Sequence, residues 1–310
     1  MNEELERYID GRQIIASVSG GKDSTAMCLY FKELGIEFTP MFCDTGWESA
    51  ETYTYLRDYL PGIIGEIKWV TTKVDLPEGL EEIAQQYERR LGHYSAMVRQ
   101  CLHWSDFPTR LRRWCTRKVK MEPAKKYFDS LDDEPINAVG VRAAESKARS
   151  KMPEWEWQDQ FDCETWRPLI DWSEQDVIDI HTRHGVMPNQ QYLSMNATRV
   201  GCYPCIYASK KEIRAIADHS PERFDLLHDL ELTITQLAKN NAKQKGKNHN
   251  DVFRGWFMNR EDKPDLITGK RSGHPTPIRD VIKWAKTKRG GKQYELFMPP
   301  SRERGCMRWG

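Results

Sequence analysis

The sequence predicts an α/β protein: a doubly wound, mostly parallel sheet flanked by helices, followed by a small irregular C-terminal extension. Three observations carry this expectation. Short apolar runs alternate with helical stretches of about ten residues, the pattern of successive βαβ units. The first of those runs ends in a Gly-rich turn that opens a helix. The chain has 310 residues, 39% hydrophobic and 30% charged. That is enough apolar material for one large α/β domain, or for a domain with an appendage.

The elements follow in order. Glu3–Asp10 predicts a short helix, and Gln13–Val18 (QIIASV) a buried strand. Asp23–Leu34 has helical spacing, with Met27, Tyr30, Phe31 and Leu34 on or near one face and Gly35 as its C-cap. Glu37–Cys43 predicts a second strand, Ala50–Tyr59 a helix stopping at Pro61-Gly62, Glu66–Thr71 a third strand and Leu80–Leu91 another helix. Ile136–Val141 supplies a further buried strand and Thr165–Ile170 a short edge element. Ser173–His184 opens with Ser173 as N-cap and Asp176 three residues on, close to a capping box. Lys210–Asp218 and Pro221–Asn240 predict two more helices, the second with proline in its first turn. Beyond Asn240 the pattern fades into polar, basic and Pro/Gly-rich sequence, which predicts loops and a few short elements. The expected division is residues 1–235 and 236–310.

Charge and cysteine usage narrow the function. Lys and Arg number 47 against 46 Asp and Glu, a net charge of +1. From Gln236 to Gly310, however, there are 18 Lys and Arg against 7 Asp and Glu. A basic last quarter on an acidic body suits either an anionic partner, such as tRNA or DNA, or a solvated tail. No apolar run approaches the roughly 18 residues of a membrane span. The opening MNEELERYIDGRQ is acidic and polar, unlike a secretory signal, so a cytoplasmic protein is expected. In that setting 8 cysteines read as core residues, metal ligands or reactive thiols, not disulfides.

The sharpest signal is Ser19-Gly20-Gly21-Lys22-Asp23-Ser24, at the end of a predicted strand and the start of a predicted helix. Two glycines let backbone amides turn toward an anion, and the helix N-terminus adds partial positive charge. Ser19 and Ser24 offer hydroxyl donors and Lys22 offsets phosphate charge. Asp23 is placed to act through a divalent cation, Mg²⁺. The spacing is not that of a Walker A loop. It resembles instead the PP-loop of ATP pyrophosphatases. Asp44-Thr45-Gly46 with Glu51-Thr52 resembles the DTG…ET segment of the phosphoadenosine phosphosulfate (PAPS) reductase family. Gly140-Val141-Arg142…Ser146…Arg149 and Pro168-Leu169-Ile170-Asp171-Trp172 are similar to two later segments of that family, in the same order. The resemblance implies an adenine nucleotide α-hydrolase-like fold. It also implies ATP contacts from Ser19–Ser24, Asp44, Thr45, Gly46, Gly140, Arg142, Ser146 and Arg149. Reductases of PAPS usually lack the complete loop, so its presence favours the family's ATP-using branch, which resembles sulfur-insertion enzymes. Read as residues, Asp44 can also be a turn cap, and Arg142 and Arg149 can be ion-paired to Glu145 or Glu154.

Cys202 and Cys205 form a CxxC in a Gly/Pro turn, Cys115 sits in Arg113-Trp114-Cys115-Thr116, and Cys306 lies near the C-terminus. Three or four such thiolates can hold a [4Fe–4S] cluster or a zinc ion. Resemblance to iron–sulfur adenylylsulfate reductases implies the cluster, with Cys115 ahead of Lys120–Pro123 and the CxxC following. Those reductases carry adjacent cysteines, and here Trp114 replaces the first, which leaves Cys306 as the candidate fourth ligand. Cys306 otherwise reads as a catalytic thiol or sulfur carrier. Cys28 and Cys43 read as core thiols. His181 and His184 read as surface or core histidines, and Trp155 and Trp157 as an interface or lid element.

The function expected is adenylation of an acceptor by ATP, catalysed through Lys22 and Asp23 with release of pyrophosphate, and sulfur transfer supported by a donor protein. The alternatives are a PAPS or adenylylsulfate reductase releasing sulfite, and a non-catalytic nucleotide sensor that binds nucleic acid.

Overall fold

In the computed structural model, the structure describes residues 3–131, 134–195, 197–260 and 273–288. In chain order the elements are α1 (Glu3–Ile9), β1 (Ile14–Ser17), α2 (Lys22–Leu34), β2 (Thr39–Cys43), α3 (Ala50–Thr54), α4 (Pro61–Ile64), β3 (Lys68–Val70), α5 (Glu81–Leu91), α6 (Ala96–Trp104) and α7 (Trp114–Thr116). There follow α8 (Glu122–Phe128), β4 (Ile136–Val139), β5 (Trp155–Gln158), β6 (Cys163–Trp166), α9 (Glu174–Arg183), α10 (Gln190–Ser194), α11 (Lys210–His219), α12 (Pro221–Gln244), β7 (Phe257–Arg260), β8 (Gly273–Thr276) and α13 (Ile278–Lys286). Contacts divide the described residues into two units, one within Met1–Thr72 and Arg117–Cys202, the other within Lys73–Thr116 and Tyr203–Glu303. The boundary anticipated at residue 235 falls inside α12.

The first unit holds the expected α/β sheet. Its order is β3-β2-β1-β4-β6-β5, parallel throughout except for the antiparallel pair β5–β6. The period-2 alternation of β1 explains why both faces need cover. Ile14 and Ala16 pack on one side with Met27, Leu29 and Phe31 of α2 and Val177 and Ile180 of α9. Ile15 points to the other, with Met41 of β2 and Ala124 and Phe128 of α8. The Gly35 C-cap of α2 is left-handed at φ 70°, and Ser173 and Asp176 close the capping box of α9.

Three differences from the sequence pattern have physical reasons. The helix from Ala50 continues past Tyr59 through a π turn into α4, because Pro61 sits in a first turn, where a missing N–H costs nothing. The segment near Thr165 is not an edge: β6 lies between β4 and β5, and the edge is β5. Trp155 and Trp157 are therefore strand residues. Trp155 stacks on Trp166 with ring centroids 5.0 Å apart, and Trp166 stacks in turn on Phe31, also at 5.0 Å. Such pairs add about 0.5–1.5 kcal/mol beyond burial.

The second unit is helical, with α5, α6, α11, α12 and α13 and the β7–β8 hairpin. Beyond Asn240, its described residues form the end of α12, the hairpin and α13. Glu231 of α12 is 1% exposed, and its carboxylate accepts the amide N–H of Trp256 (3.0 Å) and that of Ile278 at the start of α13 (2.9 Å). Burial pushes this carboxyl up to about 7, against the two amides that favour its charged form.

Between the ordinary glutamate value and 7, folded Glu231 holds a proton that the unfolded chain has released. Its contribution to stability therefore falls as pH rises through that window, by on the order of 3 kcal/mol, and is flat above it. Thermal unfolding of wild type and Glu231→Gln at pH 5 and pH 7.5 should show wild type losing more stability than the variant over that interval. Equal losses would contradict the assignment.

Candidate functional site

Strands β2, β1 and β4 are parallel neighbours, so the segments that follow them emerge at one end of the sheet. These are Val18–Gly21, Asp44–Gly46 and Gly140–Arg142, the segments that the sequence singles out. The chain winds from β1 outward to β3 and then returns to place β4 on the other side of β1, which makes this end a topological switch point.

The loop is held by its own side chains. The Ser19 amide donates to Ser24 Oγ (3.1 Å), Ser24 Oγ donates to the Gly21 carbonyl (3.0 Å), and the Gly21 amide donates to Ser19 Oγ (3.4 Å). Gly20 is left-handed at φ +71°, and a Cβ there would lie 3.3 Å from Thr52 Cγ2. Gly21 is the N-cap of α2 and offers no capping side chain. The first helical bond is Thr25 N–H to the Gly21 carbonyl, and the Lys22 amide donates to Tyr192 Oη at 3.3 Å. Among the described residues, the amides of Gly20, Asp23 and Ser24 find no hydrogen-bond partner. Orphan donors at a helix start, with two of the three on buried residues, form a cradle suited to an anion.

The charged side chains of the loop are already engaged. Lys22, 8% exposed, pairs through Nζ with Glu174 at the start of α9 and lies 5.9 Å from the Tyr192 ring centroid. That pairing holds Glu174 below the usual carboxylate range. Asp23 pairs with the buried Arg142, and Arg149 pairs with Glu145. Ser146 is exposed, and its Oγ accepts the Arg149 amide at 3.2 Å. Asp44 caps its own turn: its Oδ1 accepts the Gly46 amide (2.9 Å) and the Tyr53 hydroxyl (2.7 Å). Thr45 Oγ1 lies 2.8 Å from Glu48, a carboxylate that burial raises.

Among the described residues, no group of three or more His, Cys, Asp or Glu side chains could hold a metal ion. Cys202 belongs to the first unit, with its Sγ 4.0 Å from Glu48 Oε1, and Cys115 and Cys205 belong to the second. Cys306 lies outside the described residues. Cys28 is fully buried, as a core thiol should be, and burial pushes Cys43 up to about 11.

Sequence reasoning missed Glu174, Asn189 and Tyr192, which approach the loop from more than 130 residues away. Asn189 Nδ2 reaches Thr52 Oγ1 at 3.3 Å and caps α10. His181 carried a usable signal: it follows Val177 by four residues on the buried face of α9.

Gly140 fixes how closely β4 approaches the loop. A Cβ at 140 would lie 2.7 Å from the Asp23 carbonyl oxygen and 2.9 Å from Ser24 Cα, both backbone atoms that cannot swing away. Gly140→Ala should destabilise the chain by about 1–3 kcal/mol in chemical denaturation. Gly62→Ala, where nothing lies within 4 Å, should be close to neutral. An equal effect of the two would contradict the close approach.

Among the described residues, no helix is long and apolar enough to cross a membrane. The chain is 29% identical to an uncharacterized 37.8 kDa protein of Escherichia phage 186, over 94% of this chain and 93% of that protein. It is 33% identical to the adenosine 5′-phosphosulfate reductase of Allochromatium vinosum, over 31% of this chain and 36% of the reductase. Among solved structures, a phosphoadenylyl-sulfate reductase from Candida auris in a phosphate complex aligns at 18% identity and a TM-score of 0.45, covering 65% of this chain and 87% of that one. Residues 13–208, more than half of the chain, match the profile described as the phosphoadenosine phosphosulfate reductase domain, and the chain belongs to that family.

Proposed function

We propose that this chain is an ATP-using enzyme of its family: it binds ATP with the phosphates on Ser19–Ser24, transfers the adenylyl group to an acceptor with release of pyrophosphate, and supports sulfur transfer to that acceptor. The observation that carries the reading is the complete loop, with the amides of Gly20, Asp23 and Ser24 unpartnered among the described residues. An acceptor oxygen would attack the α-phosphorus as the bond to the β-phosphate oxygen breaks. Negative charge then grows on the departing pyrophosphate. Fixed amide dipoles stabilise such charge without reorganising, usually the largest catalytic contribution in transfers of this kind, and the Lys22 ammonium would add its charge on exchanging Glu174 for a phosphate oxygen.

The basic stretch from Gln236 onward would meet an anionic acceptor such as tRNA or DNA. A metal on Cys115, Cys202, Cys205 and Cys306 rests on residue type and on the resemblance to iron–sulfur adenylylsulfate reductases, which implies a cluster with zinc as the alternative, and the adenylation chemistry does not depend on it.

One observation favours a second reading, reduction of adenylylsulfate with release of sulfite. The chain is locally similar to adenosine 5′-phosphosulfate reductases, at 33% identity to that of Allochromatium vinosum and 35% to that of Streptomyces coelicolor over 22% of this chain.

Calorimetry with ATP, adenylylsulfate and PAPS separates the two. ATP should bind and support exchange of pyrophosphate into ATP. Lys22→Gln should weaken ATP binding about ten- to hundredfold, the worth of a charged hydrogen bond. Binding of adenylylsulfate with no response to ATP would replace this reading by the reductase.

A further inference from the structure

Helix α9 touches the loop at a second point. His181, 0% exposed, places Nε2 2.9 Å from the Lys22 carbonyl oxygen and Nδ1 3.2 Å from the Val186 carbonyl oxygen. Carbonyl oxygens only accept hydrogen bonds, and a neutral imidazole has a single N–H. In the neutral ring one nitrogen lone pair therefore faces a carbonyl lone pair. The imidazolium donates to both.

We propose that His181 is a positioning residue of the phosphate loop and that it works as the imidazolium, taking up its second proton when phosphates settle on the loop amides. The inference rests on the reading of Ser19–Ser24 as a phosphate site. The Lys22 carbonyl belongs to the same peptide group as the Asp23 amide, one of the three amides without a partner among the described residues. Across a trans peptide, C=O and N–H point in opposite directions. A donor on the oxygen thus fixes the direction of the N–H and polarises it toward an anion.

The charge balance fits. Burial holds His181 below the usual histidine range, while the two carbonyls pull the other way. Two charged groups of α2 act on the ring: Lys22 disfavours the imidazolium and Asp23 favours it. Lys22 is paired with Glu174 and Asp23 with Arg142, so the loop without a ligand is close to neutral. An arriving phosphate supplies the net negative charge that a second ring proton needs. By reciprocity, whatever raises the proton affinity of the ring through phosphate binding raises phosphate affinity through protonation.

The probe is inorganic pyrophosphate, which tests the loop whatever nucleotide the enzyme uses. Pyrophosphate binding by wild type and by His181→Gln would be measured from pH 8 to pH 5.5. Glutamine keeps a donor for the Lys22 carbonyl but does not titrate, and the ratio of the two affinities cancels the ionisation of the ligand itself. That ratio should rise in favour of wild type as pH falls, by up to about tenfold for each unit by which binding raises the His181 pKa. In parallel, the His181 ring resonances of wild type would be titrated by NMR with and without saturating pyrophosphate, which needs no variant to fold. An upward shift of the His181 pKa supports the proposal. Binding with an unchanged pKa and a flat ratio overturns it while leaving the loop reading intact. No perturbation of the loop amides by pyrophosphate overturns both.

Discussion

One steric constraint underlies the site. Where β4 ends, its backbone runs so close to the first turn of α2 that residue 140 has no room for a side chain. That approach holds the two sides of the switch point together. It sets Arg142 against Asp23 at the head of α2. The parallel register of β2, β1 and β4 does the rest, because it delivers all three chemistry-bearing segments to one end of the sheet.

The second feature is electrostatic. Lys22 is only 8% exposed, and an ammonium so far out of water is costly without a counter-charge. Glu174 supplies a counter-charge from a helix whose other contact, His181, grips the same residue through its carbonyl. In the proposed ATP complex a phosphate oxygen would take over or share the place that Glu174 now holds; α9 thus touches Lys22 at both its ammonium and its carbonyl.

Much of this was legible in the sequence, for identifiable reasons. Buried parallel strands appear as continuous apolar runs, and the loop's residue types sit at fixed offsets between a strand and a helix. The capping box of α9 is local and could be read directly. β5 was not, because only Trp155 of its aromatic pair stacks inward, while Trp157 is 47% exposed among glutamates. α8 is short and carries Pro123, so it gives little helical periodicity although it covers the second face of the sheet. The partners of the loop were out of reach for another reason: Glu174, His181 and Tyr192 meet Lys22 only through the tertiary fold. Arg142 and Arg149, expected to grip phosphate, are paired with Asp23 and Glu145; the Glu145 pair was open as an alternative from spacing, whereas Asp23 meets Arg142 only through the tertiary fold.

The most direct measurement of the central claim is an amide NMR titration of the full chain with ATP. The account predicts that the N–H resonances of Gly20, Asp23 and Ser24 shift first and saturate together, since these are the donors that lack partners among the described residues. Saturable ATP binding that leaves those three resonances in place would contradict it.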